Sequence, residues 1–88
     1  MAWSVEFNET AKRQFRKLDR QWQGKILDYL EDEIAPLADP RSRGKALIGN
    51  KQGLWRYRIG DYRAICNIED DRFLILVLEV GHRRSIYR

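Results

Sequence analysis

Apolar and polar residues alternate at the start of the chain. Trp3, Val5 and Phe7 are set against Ser4 and Glu6, the two-residue period of a half-buried strand over residues 2–7. The period then lengthens: Ala11, Phe15 and Leu18 recur at helical spacing, while Lys12, Arg13, Arg16 and Lys17 cover the other faces. Asn8 stands where a helix N-cap belongs, ahead of Glu9 in a first turn where the helix dipole favours negative charge. Asp19 caps a second helix at once, with an apolar stripe of Trp22, Ile26, Tyr29, Leu30 and Ile34 and with Pro36 beyond its end. Two helices joined by almost no linker predict a hairpin whose stripes pack on a sheet.

Residues 36–53 carry two prolines, three glycines and few apolar anchors, Leu47 among them, and predict a long connection. It holds Arg41, Arg43, Lys45 and Lys51 against Asp39 alone, which suits either a track for a nucleic-acid backbone or a mobile, solvated loop. From residue 54 the pattern is all strand and turn. Residues 54–59 and 62–68 read as a hairpin, and 73–80 as a strand buried on both faces, with a polar turn at 69–72 between them. The predicted order is strand, helix, helix, strand, strand, strand. This is an α+β fold: an N-terminal strand, a helical hairpin and then an antiparallel β-meander, with the helices on one face of the sheet. Trp55, Tyr57, Ile59, Tyr62, Ala64, Cys66 and Ile68 are expected to face the helices, and Arg56, Arg58 and Arg63 to face away.

Composition adds a bias toward anions. The 88 residues hold 17 Lys and Arg against 13 Asp and Glu, a formal net charge of +4, which favours anionic partners without naming one. With 43% apolar residues, the chain suits one small domain over 1–88 and leaves no room for a second. No apolar run reaches the length of a bilayer span, and the N-terminus lacks the regions of a signal peptide, so a cytoplasmic protein without a membrane partner is expected. Cys66 is the one cysteine, which excludes an internal disulfide or a thiolate metal cluster. Its apolar neighbours make it a small core residue.

The hairpin gathers that charge. With Gly60-Asp61 as a two-residue turn, Arg58 lies directly opposite Arg63, and Arg56 shares their face. Like charges opposed across a ladder are destabilising unless an anion sits between them, so the patch reads as a phosphate or carboxylate site. Salt-bridged structural arginines are the competing reading, with Glu79 the one nearby acid. Every Lys-or-Arg position from 54 to 88 is arginine, the side chain suited to planar, two-pronged phosphate contacts. Pairing Ile68 with Phe73 sets Arg63 opposite Leu78 and brings 81–84 beside the patch, with Arg83 and Tyr87 at its border.

RNA carries its own nucleophile, the 2′-hydroxyl. A phosphate site becomes a cleavage site when one group takes that proton, another stabilises the transition state and a third assists the leaving oxygen. The acids fall in turns and on helix surfaces, so neither a metal nor any small-molecule cofactor is expected. His82, the one histidine, cannot form a His-His pair. Tyr87, with an ordinary tyrosine pKa of about 10, needs neighbouring arginines to lower it. Two plainer readings stay open: Tyr87 as a C-terminal ring packed on the sheet, and His82 as a strand-end surface residue.

The run 54–63, the apolar strand into Glu79-Val80-Gly81-His82-Arg83-Arg84, and the closing Ile86-Tyr87-Arg88 together resemble the RelE/ParE superfamily of bacterial and archaeal toxins, over essentially the whole chain. The resemblance to its RelE branch implies a toxin of a type II toxin-antitoxin system. Such a toxin is a ribosome-dependent, metal-independent endoribonuclease that cuts mRNA in the ribosomal A site, with the ribosome, mRNA and a cognate antitoxin as partners. It implies catalytic roles for Arg63 at the scissile phosphate, Arg83 at the leaving group and Tyr87 at the 2′-hydroxyl. Arg56 and Arg58 then bind substrate, with His82, Arg84 and Lys51 as further RNA or phosphate contacts. Arg56 and Arg58 stand where relatives often carry lysine and, always protonated, cannot act as general bases. The spacing from Gly81 to Tyr87 is shorter than in some members. A ParE-like inhibitor of DNA gyrase without nuclease activity is the alternative, and an inactive module whose basic face receives an acidic partner is a third.

Overall fold

The computed structural model describes residues 2–86. Strand β1 (Ser4–Phe7) leads into helices α1 (Glu9–Arg16) and α2 (Arg20–Asp28), the latter running on through a wider π-type turn at Tyr29–Ile34. Strands β2 (Lys45–Ala46), β3 (Trp55–Ile59), β4 (Tyr62–Glu69) and β5 (Leu74–His82) follow, and the short helix α3 (Arg83–Ile86) closes the described chain. The sheet order is β1-β5-β4-β3-β2. β1 pairs parallel with β5 and the other pairs are antiparallel, so the helical hairpin lies on one face of a five-stranded mixed sheet. No helix among the described residues is long and apolar enough to cross a membrane.

Both predicted caps form. The Asn8 side chain accepts from the Ala11 amide at 2.8 Å, and Asp19 accepts from the Trp22 amide at 3.0 Å, each satisfying an amide that has no partner within its own helix. The α1–α2 corner is closed by Gln23, whose Nε2 donates to the carbonyls of Phe15 and Leu18. Ile26, Leu30 and Ile34 are then fully buried against Tyr57, Ala64, Cys66, Ile75 and Val77.

Three expectations change. The connection over 36–53 contains the edge strand β2, giving five strands where four were expected, and β5 ends in a helical turn where only strand and turn were expected. The connection is also stapled down along its length. Trp55 Nε1 donates to Arg43 O, Tyr57 OH donates to Pro40 O at 2.7 Å, and Arg41 forks onto both carboxylate oxygens of Asp70 at 2.9 Å. Arg43 pairs with Glu33 at 3.0 Å and Lys51 with Glu79 at 3.2 Å. Most of the loop's cations are therefore spent on the protein's own acids, as neither the backbone track nor the mobile loop had it. The Arg41 hydrogen bond holds the Asp70 carboxyl below its usual range. Whatever that pair contributes is present above the ordinary carboxylate pKa and is lost as pH falls through the lowered one.

The third change is register. Ile68 faces Ile75, where Phe73 was expected, because a 3-10 turn at Asp70–Arg72 and a left-handed Phe73 (φ 50°) occupy residues before β5 begins to pair. A bulge between Ile65 and Cys66 moves the pairing again, so that Arg63 lies opposite Gly81 and not Leu78.

Two outcomes follow from the core. Tyr57 is fully buried, and burial keeps its hydroxyl protonated as a donor to Pro40 O. Tyr57→Phe strands that carbonyl and should cost about 1–3 kcal/mol in chemical denaturation. Cys66 is fully buried, and burial pushes its thiol pKa up. Its alkylation by iodoacetamide at pH 8 should therefore run roughly 10³-fold or more slower in the native protein than in denaturant, since reaction waits on opening.

Candidate functional site

The β3–β4 hairpin turns at Gly60-Asp61 with Ile59 paired to Tyr62. Gly60 needs its φ of +60°, and a Cβ there would also meet the Trp22 ring at 2.6 Å. Arg58 then stands directly opposite Arg63, and Arg56 opposite Ile65. Paired residues share a face, so continuing across the sheet gives two rows on the side away from the helices. One is Arg58, Arg63, Gly81; the other is Lys45, Arg56, Ile65, Glu79.

Arg63 is 6% exposed, with Nη1 donating to Tyr62 O at 3.2 Å. Arg58 is exposed, and its Nε donates to Gly60 O at 3.4 Å. Glu79, the acid nearest the patch, is taken by Lys51. Among the described residues no acid forms an ion pair with Arg58, Arg83, Arg84 or Lys45. The Arg83 amide donates to Asp61 O at 2.9 Å, which starts α3 beside the hairpin turn, at the end of the sheet where Arg58 and Arg63 face each other. Among the described residues no three His, Cys, Asp or Glu side chains gather where a metal could sit.

The other sequence candidates separate. Lys51 lies at the margin of the arginine face, engaged with Glu79. Arg84 is exposed one residue beyond Arg83, its amide donating to His82 Nδ1 at 3.3 Å. His82 turns to the helix side: it pairs with Tyr62, their rings edge to face at 5.5 Å, and Tyr62 in turn packs on Trp22. The bulge is the cause, since one extra residue in β5 inverts every side chain that follows. Without it, His82 would share the face of Arg63. Tyr87 lies outside the described residues. Lys45 joins the face unforeseen, because a two-residue strand is too short to leave a period in the sequence.

Comparison with known proteins names the class. The family model described as ParE toxin of type II toxin-antitoxin system, parDE, matches residues 5–87, and the chain belongs to that family of toxins. Toxin RelG of Mycobacterium tuberculosis is 30% identical over 88 residues, covering 100% of this chain and 99% of RelG. Toxin RelE of the same organism is 26% identical over 86 residues, 98% of this chain and 87% of that one. Among solved structures, the M. tuberculosis RelBE2 toxin-antitoxin complex superposes with a TM-score of 0.85 at 26% identity, covering 94% of this chain and 93% of the other. The isolated E. coli RelE toxin shares the fold, with a TM-score of 0.71 at 19% identity over 92% of this chain and 84% of that one. Within the family this is a RelE-like toxin.

Proposed function

We propose that the protein is a ribosome-dependent endoribonuclease that cuts mRNA in the ribosomal A site and is held in check by a cognate antitoxin. The observation that carries the reading is the meeting of Arg58, Arg63 and the start of α3 at one end of the sheet, with Gly81 opposite Arg63. Structures of related toxins bound to antitoxins support the protein partner.

In this reading the 2′-hydroxyl gives up its proton with help from Tyr87 and attacks the adjacent phosphorus. The O2′–P bond forms as the P–O5′ bond breaks, leaving a 2′,3′-cyclic phosphate and a 5′-hydroxyl. Arg63 faces the non-bridging oxygens, where charge builds, and Arg83 stabilises the departing 5′ oxygen, which takes up a proton from water to become the 5′-hydroxyl. Arg56, Arg58 and Lys45 hold flanking phosphates. The inward turn of His82 and the pairing of Lys51 leave both with lesser parts.

Inhibition of DNA gyrase without cleavage has one observation in its favour, that the matching family model is described as a ParE toxin. Inducible expression with mapping of mRNA 5′ ends separates the two. Codon-phased cuts confined to translated messages are expected, whereas intact RNA together with DNA damage would replace the cleavage reading with the gyrase one.

A further inference from the structure

Strand β1 covers β5 only as far as Phe7 opposite Val77, where the Asn8 amide donates to Val77 O at 3.0 Å and the chain leaves the sheet for α1. β5 runs on to His82, so its outer edge from Leu78 has no neighbouring strand among the described residues. One backbone donor on that edge is nevertheless met: the Val80 amide donates to Gln14 Oε1 at 2.8 Å, across 66 residues of sequence. Amides alternate sides along an antiparallel strand, so a Val80 amide aimed outward turns those of Glu79 and Gly81 toward β4.

This contact sits just past the bulge. The β4–β5 ladder shifts between Ile65 and Cys66 and leaves Leu78 unpaired, then resumes with Ala64 opposite Val80 and Arg63 opposite Gly81. Bulges are positions where register can be set differently. A bulge moved past Val80 would put a valine side chain, not a glycine, opposite Arg63. On the far side of Gly81 the Arg83 amide is tied to Asp61 O. Gly81 and His82 are thus bracketed by two pins, one from α1 and one from the hairpin turn.

We propose that Gln14 is a positioning residue for RNA cleavage. Its carboxamide stands in for the strand missing beside β5 and holds the register that sets Gly81 opposite Arg63 and starts α3 at the hairpin turn. The proposal rests on the cleavage reading above and assigns Gln14 no contact with substrate.

The test compares Gln14→Leu, which removes the acceptor, with Gln14→Glu, which keeps one. The readouts are Val80 amide exchange, thermal midpoint, and single-turnover cleavage of a message on programmed ribosomes across ribosome concentrations. For Gln14→Leu we expect Val80 exchange to rise roughly tenfold or more, as loss of one hydrogen bond implies. The rate at saturating ribosomes should fall about tenfold, with the half-saturating concentration within about twofold of wild type. Gln14→Glu should restore both, and a general loss of stability would not produce that pattern. Fast Val80 exchange with an unchanged cleavage rate overturns the positioning role alone, as does Val80 protection that survives in Gln14→Leu. A wild-type protein that cleaves nothing on the ribosome overturns the cleavage reading and the role of Gln14 with it.

Discussion

Arg63→Ala should abolish growth arrest on expression and lower the single-turnover cleavage rate by about 10²–10³-fold, the usual loss when one donor to a developing oxyanion is removed. The half-saturating ribosome concentration should change far less, because the side chain is proposed to act where charge appears in the transition state and not in docking. Arg63 is 6% exposed, so the alanine variant also removes packing. Arg63→Lys therefore accompanies it. Lysine keeps the charge and the aliphatic stem but loses the two-pronged donor, so the fold should survive while the rate still drops by roughly tenfold or more. Full activity in Arg63→Lys and Arg63→Ala alike would remove this residue from the mechanism. Arg83→Ala and Tyr87→Phe should relieve growth arrest in the same assay.

Gly44→Ala should produce the largest loss of stability. Gly44 has φ +79°, and a Cβ there would press on the Arg56 carbonyl while lying 2.7 Å from Trp55 Nε1 and 2.9 Å from Tyr57 Cδ1. A left-handed alanine costs about 1–2 kcal/mol, and forcing a methyl group into packed structure typically adds about 1–3 kcal/mol. In a domain of this size the sum lowers the melting temperature by roughly 10 °C or more. Gly49 is the control: its φ is +72°, with nothing within 4 Å of an added Cβ, so Gly49→Ala should show the backbone cost alone. Gly44→Ala should also loosen β2 and carry Lys45 off the arginine face, because Lys45 follows Gly44 directly and pairs with Arg56. Equal midpoints for the two alanine variants would mean that the close approach at Gly44 does not matter.

Local chemistry in the sequence was enough for much of this. The Asn8 and Asp19 caps, the Ile26, Leu30 and Ile34 stripe, and the Arg58–Arg63 opposition all follow from interactions spanning a few residues. Non-local pairing left no such trace. Nothing in residues 2–7 says that their strand will lie parallel to β5. The run 73–80 is apolar on both faces except at Glu79, so a slip or a bulge within it changes almost no pattern. The shift at Ile65/Cys66 and the left-handed Phe73 therefore stayed hidden, and with them the side on which His82 emerges. The place of Lys45 on the arginine face and the contact made by Gln14 were missed for a related reason: each residue reaches its place through a partner distant in sequence, Arg56 for one and Val80 for the other.

The activity proposed for this toxin is cleavage of mRNA on the ribosome. Its most direct measurement uses the purified protein with an end-labelled message, either free or held by ribosomes with a defined codon in the A site, alongside a gyrase supercoiling assay at the same protein concentration. One cut is expected within the A-site codon of the ribosome-bound message, leaving a 5′-hydroxyl, with the free message intact and supercoiling unaffected. An uncut message on the ribosome together with blocked supercoiling would contradict the proposed activity.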